Sequence, residues 1–144
     1  MKFLVIHGPN LNLLGRRETS VYGTASLADV DELIRASASE LDVEVAIHQS
    51  AREGEIIELL HAGIDDVDGA LLNPGAYAAT SQAIADAIRS VGYPVVEVHL
   101  SNIHAREPWR ARSVTAQASV GIVSGFGPGS YAAALRALVY KVRG

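Results

Sequence analysis

Apolar residues along this chain follow two alternating patterns. Residues 3–6, Phe-Leu-Val-Ile, form a continuous apolar run. Such a run keeps no polar face for water and reads as a strand covered on both sides by helices. Similar runs recur at residues 43–47, 69–72, 95–98 and 120–123, which predicts five strands. Between them, apolar residues fall at i, i+3, i+4 and i+7 spacings: Leu27, Val30, Ile34 and Leu41; Ile56, Leu59, Leu60 and Ile64; Ile84, Ile88 and Val91. That period places each set on one face of a helix. A last helix, opening near Pro128, carries Tyr131, Leu135, Leu138 and Val142 on one stripe and completes five βα units. The fold class is therefore α/β. Parallel crossovers are right-handed and both sheet faces need cover, so the expected architecture is flavodoxin-like. It is a doubly wound, five-stranded parallel sheet of order 2-1-3-4-5, with ligands outside the carboxyl ends of the strands.

Composition narrows the function. The 144 residues suit one domain, 1–144, with one sizeable core. A 49% hydrophobic content is high for a soluble domain of this size, which predicts that copies of the chain cover one another as a homo-oligomer. The net charge of −4 lacks the basic excess that phosphate backbones require, so no nucleic-acid partner is expected. No run approaches the ~20 apolar residues that span a bilayer, and the first apolar run is cut short by Gly8 and Pro9. With no cysteine, the expected location is cytoplasmic. The absence of cysteine also removes thiolate nucleophiles, and the only lysines, Lys2 and Lys141, lie near the chain ends, which disfavours imine chemistry. His48, His61 and His104 have no metal-ligand spacing, so no metal is expected.

Polar residues outside the helices concentrate in three loops. Residues 7–23 are far longer than an ordinary βα connection, and they carry Asn10, Asn12, Arg16, Arg17 and Tyr22 between glycines that suit a closing lid. Asn73-Pro74-Gly75 is a tight turn that puts an amide at a strand end. After the fourth strand, Glu97 and His99 are two residues apart and share a strand face, so the carboxylate can orient the imidazole for acid/base work. Arg106, Arg110 and Arg112 follow, and at least one is expected to bind an anion. Gly125-Phe126-Gly127-Pro128-Gly129 comes after the last strand and reads as a packed helix entrance rather than a phosphate loop.

Taken together, GPNLNLLG at 8–15, Arg17-Glu18 with Tyr22-Gly23, NPGAY at 73–77 and the EVHLSN…RE…R series of 97–110 resemble type II 3-dehydroquinate dehydratase across essentially the whole chain. The resemblance implies a hydro-lyase of the shikimate pathway, serving aromatic biosynthesis or quinate breakdown. It implies a dodecamer built from trimers that needs no cofactor and removes water from 3-dehydroquinate by anti elimination through an enolate. By the same resemblance Tyr22 is the base, His99 the acid, Arg17 the electrostatic partner of the base and Glu97 the group that orients His99. Asn10 then serves the enolate oxygen. Asn73, Leu100, Ser101 and Arg110 are implied to hold the substrate, with Asp86 reaching in across a subunit interface. An ordinary phenol, with a pKa near 10, is only ~0.1% ionised at pH 7, so such a base calls for roughly 4 kcal/mol of help from positive charge.

Some positions depart from the family pattern. Ala79 stands where a substrate-contacting histidine is usual, a contact that a water or His104 would have to replace. His7 replaces a common asparagine, Thr19 a proline and Trp109 a phenylalanine. The competing reading is a flavodoxin-like binding domain without turnover, with a flavin or mononucleotide binder ranked below it for lack of a phosphate loop.

Overall fold

The computed structural model describes residues 1–144. Five parallel strands, β1 (Lys2–His7), β2 (Glu44–Gln49), β3 (Gly69–Asn73), β4 (Val95–His99) and β5 (Gly121–Ser124), form one sheet of order β2-β1-β3-β4-β5. The helices are α1 (Thr19–Tyr22), α2 (Leu27–Glu40), α3 (Glu53–Ala62), α4 (Gln82–Ser90), α5 (Pro108–Ala111) and α6 (Gly129–Arg143).

Successive side chains along a strand point to opposite faces, and this alternation divides the core in two. Phe3, Val5, Leu71, Val96 and Val98 pack against Val30 and Ile34 of α2 and Tyr131, Leu135 and Leu138 of α6. Leu4, Ile6, Ala70, Leu72 and Val95 face the other way, onto Ile56 and Leu60 of α3 and Ile84 and Ile88 of α4. Two of the helices start where hydroxyl side chains meet free N–H groups. Ser26 and Asp29 form a reciprocal capping box on α2, and Ser81 accepts from the Ile84 N–H on α4.

Four expectations need correction. Only β1, β3 and β4 are covered on both faces; β2 is half-exposed and β5 leaves Ile122, with Val120 just before it, at the surface, because these two strands are the sheet edges. The β4–β5 connection holds only short helical turns, α5 among them, so four long helices serve five strands. Its sequence has no apolar stripe to bury. Helix α3 stops at Ala62 and leaves Ile64 exposed. The long first loop is partly structured, with a 3-10 turn at Leu11–Leu13 and the single turn α1.

The register matters most for the site. His7 lies opposite Asn73, and His99 ends the neighbouring strand, so their side chains gather along one carboxyl edge. The strand order reverses direction between β1 and β3, which is where open α/β sheets present their ligand crevice.

Candidate active site

A pocket of about 590 Å3, open to solvent, lies at that edge. Asn10, Arg17, Tyr22, Asn73, His99, Leu100, Ser101 and Arg110, expected from sequence, all line it. Glu97 sits behind His99 and is fully buried. Asp86 does not line the pocket; it is exposed on α4. Of the two amides and two cations singled out in the first loop, Asn10 and Arg17 reach the pocket while Asn12 and Arg16 face solvent. His104 and Arg112 are also exposed and outside it, so His104 does not replace the side chain missing at Ala79, which lines the wall.

Two guanidinium groups converge on one phenol. Arg17 Nη2 donates to Tyr22 Oη at 3.2 Å, and Arg106 Nη1 donates to the same oxygen at 2.5 Å. Their Cζ atoms stand 4.4 and 4.9 Å from the ring centroid. Arg106 also donates to Ser101 Oγ at 3.3 Å and to Glu18 Oε2 at 3.2 Å, tying the first loop to the β4–β5 connection. Sequence reasoning grouped Arg106 with two other arginines and had no means of choosing it. Its partner, Tyr22, is 84 residues away, and only folding brings them together.

His99 faces this cluster from a rigid mount. Its Nε2 donates to Glu97 Oε2 at 2.8 Å, so Nδ1 is the remaining nitrogen for the pocket. Glu97 is itself held by Ser113 Oγ, which donates to Oε2 at 2.7 Å, and by the Thr115 hydroxyl, which donates to Oε1. Three donors on a carboxylate in the dry core compensate the loss of water that would otherwise disfavour its charge. Neither hydroxyl carried a recognisable signal in the sequence.

The remaining wall follows from backbone geometry. Asn10 adopts a left-handed conformation (φ 70°), a region that asparagine tolerates better than most residues. The glycine-rich segment before α6 braces the β4 end: the Gly125 and Gly127 N–H groups donate to the His99 and Leu100 carbonyls at 3.3 and 2.9 Å. It forms the entrance to α6, but with Gly125, Phe126 and Gly129 exposed it is not the packed one expected. Arg110 stacks on Trp109, with Cζ 4.2 Å from the ring, and pairs with Glu107. An arrangement of this kind, with a phenol under two cations and an imidazole backed by a buried carboxylate, suits proton removal and proton delivery within one cavity.

Comparison with known proteins agrees with this chemistry. The family described as dehydroquinase class II matches residues 1–139. A 3-dehydroquinate dehydratase from Desulforudis audaxviator is 52% identical over 142 residues, covering 99% of this chain and 95% of that protein. The type II dehydroquinase crystal structure from Butyrivibrio crossotus superposes with a TM-score of 0.94 at 40% identity, covering 96% of this chain and 97% of that one. The type II dehydroquinase from Propionibacterium acnes gives 0.92 at 37% identity, covering 96% of each.

Proposed function

This chain belongs to the dehydroquinase class II family and is a hydro-lyase of that class; we propose that it removes water from 3-dehydroquinate with Tyr22 as base and His99 as acid, residues 1–144 forming one catalytic unit. Convergence of Arg17 and Arg106 on the Tyr22 hydroxyl, in the same cavity as the His99–Glu97 pair, is the observation that carries the reading.

The Tyr22 phenolate takes the proton from C2, and the C2–H electrons pass into an enolate at the adjacent carbonyl. Asn10, directly or through a water, stabilises the enolate oxygen, the kind of preorganised contact that usually contributes most to catalysis. The enolate then collapses, the C1–O bond breaks, and His99 delivers a proton to the departing hydroxyl so that it leaves as water. Its Nε2–H stays on Glu97, which stabilises the imidazolium before the transfer. Arg17 and Arg106 place two positive charges against the oxygen that carries the negative charge of the base.

Asn73, Leu100, Ser101 and Arg110 hold the substrate's carboxylate and hydroxyls. Asp86, exposed here, reaches the pocket of a neighbouring copy in a dodecamer of trimers. No helix is long and apolar enough to cross a membrane, which suits a cytoplasmic place in the shikimate pathway.

The test is a continuous ultraviolet assay of the conjugated enone product with Tyr22→Phe alongside. Turnover by the natural chain that Tyr22→Phe abolishes is the expected result. A folded, assembled protein with no turnover would overturn the activity, and an active Tyr22→Phe would overturn the base.

A further inference from the structure

One buried titratable group has no part in the reaction as described. His7, at the end of β1, is fully buried. Its Nδ1 lies 2.9 Å from Tyr131 Oη, and its Nε2 lies 2.7 Å from Asp31 Oδ1. Tyr131 Oη accepts from Asn73 Nδ2 at 3.1 Å, and Asn73 Oδ1 accepts from the Gly75 N–H at 3.1 Å. Of these side chains only Asn73 lines the pocket.

The protons of this chain of bonds can be counted. An amide nitrogen only donates, so Tyr131 accepts from Asn73 and must place its own proton elsewhere. A neutral His7 protonated on Nε2 solves this. Its N–H meets the Asp31 carboxylate, and its Nδ1 lone pair accepts the Tyr131 proton. A doubly protonated His7 would instead donate to Tyr131 as well, leaving the tyrosine proton without an acceptor in a dry core, which is strongly disfavoured. Burial lowers the His7 pKa against an opposing pull from Asp31, in keeping with the neutral ring. Asp31 of α2 and Tyr131 of α6 are the titratable groups that meet the ring.

We propose that His7, Tyr131 and Asp31 are positioning residues for substrate binding: they lock the Asn73 carboxamide with one N–H committed inward and the other presented to an anionic oxygen of the substrate. The inference rests on Asn73 being a substrate contact. Rotating the carboxamide by half a turn would set its oxygen against the Tyr131 oxygen and its NH2 against the Gly75 N–H, so the relay admits one orientation. Tyr131 lies 58 residues from Asn73 in sequence and is buried outside the pocket lining, so its influence must pass through the amide.

Steady-state kinetics on Asn73→Ala, Tyr131→Phe and the double variant test this. Asn73→Ala should raise KM about tenfold. Tyr131→Phe should raise KM about five- to tenfold with kcat within about twofold, the effect of misdirecting one hydrogen bond. The double variant should be no worse than Asn73→Ala alone. An unchanged KM in Asn73→Ala would overturn the substrate contact and the relay with it. A raised KM in Asn73→Ala that multiplies with the Tyr131→Phe effect would overturn the relay alone. His7→Asn, which keeps a carboxamide acceptor near Nδ1, should retain the natural KM, and His7→Leu should match Tyr131→Phe. Equal KM values for the two His7 variants would remove His7 from the relay. If His7→Leu does not fold, the Tyr131 cycle decides.

Discussion

Tyr22 is only half-buried, so what distinguishes it is the charge brought to its hydroxyl by Arg17 and Arg106. Removing either, as Arg17→Met or Arg106→Met, should lower kcat by about 100-fold, a loss typical of one preorganised charge-stabilising donor, while KM changes less. Comparing kcat and KM for both variants checks this. Glu97 depends on its neighbours in the opposite way, through satisfaction of a buried carboxylate. Ser113→Ala and Thr115→Val should each destabilise the chain by about 1–3 kcal/mol in urea unfolding, because each withdraws a donor from a group with no water to replace it. His7 adds a pH dependence whose sign is fixed. Its pKa is lowered on folding from 6.5, so the unfolded chain binds more protons as pH falls below that value. The stability His7 contributes is therefore complete above about pH 6.5 and lost as pH falls through the lowered folded pKa. The stability gap between the natural chain and His7→Asn should narrow between pH 7.5 and pH 5. A constant gap in denaturant melts would show that folding does not lower the His7 pKa.

Among the elements, the β1 and β3 carboxyl ends decide how tightly the pocket is built. A Cβ on Gly8 would stand 2.7 Å from the Asn73 carbonyl oxygen and 2.8 Å from the Pro74 carbonyl carbon, both backbone atoms that cannot swing aside. The Gly8 N–H also donates to that same oxygen at 2.7 Å. Gly8→Ala should destabilise the chain by about 1–3 kcal/mol, as overpacking does, and raise KM by displacing Asn73. Thermal melts and the enone assay read the two effects separately. The β4–β5 connection shows the complementary case. Lacking an apolar stripe, it cannot bury a long helix, and its short turns leave Ile103, Arg106, Trp109 and Arg110 free to form the pocket wall.

Across the whole molecule, the single chain leaves apolar surface at its β5 edge and on α6, with Val120, Ile122, Phe126 and Tyr140 exposed. This, with Asp86 outside the pocket, supports an assembly in which a neighbour completes each site. Complementation tests it directly. Tyr22→Phe chains, inactive alone, and Asp86→Ala chains, weakly active alone, should regain activity when dissociated and reassembled together, because an Asp86→Ala chain keeps its own Tyr22 and borrows Asp86 from a Tyr22→Phe neighbour. Equal mixing restores about a quarter of the sites. No recovery in mixed assemblies would place the Asp86 effect within its own chain.

The strand runs and helix stripes were legible because burial marks the sequence, as a continuous apolar run where a strand is covered on both faces and as a 3.6-residue period where a helix is covered on one. The sheet order followed from the handedness of parallel crossovers. The polar residues of the three loops stood out because groups clustered outside the strands and helices have no structural period to satisfy, and the family resemblance narrowed them to Asn10, Arg17, Tyr22, Asn73, Glu97, His99 and Arg110. Pairings across long sequence separations were not legible. Arg106 with Tyr22, Ser113 and Thr115 with Glu97, and His7 with Tyr131 and Asp31 join residues 16 to 124 positions apart. Local sequence carries no record of such separations. The same limit explains the exposed sheet edges, whereas the missing helix after β4 was legible in the lack of an apolar stripe. The sequence by itself determined which residues seek the core and which chemistry is available at the strand ends. Tertiary packing alone decided which charge meets which, since a contact between distant residues exists only once the chain between them has folded.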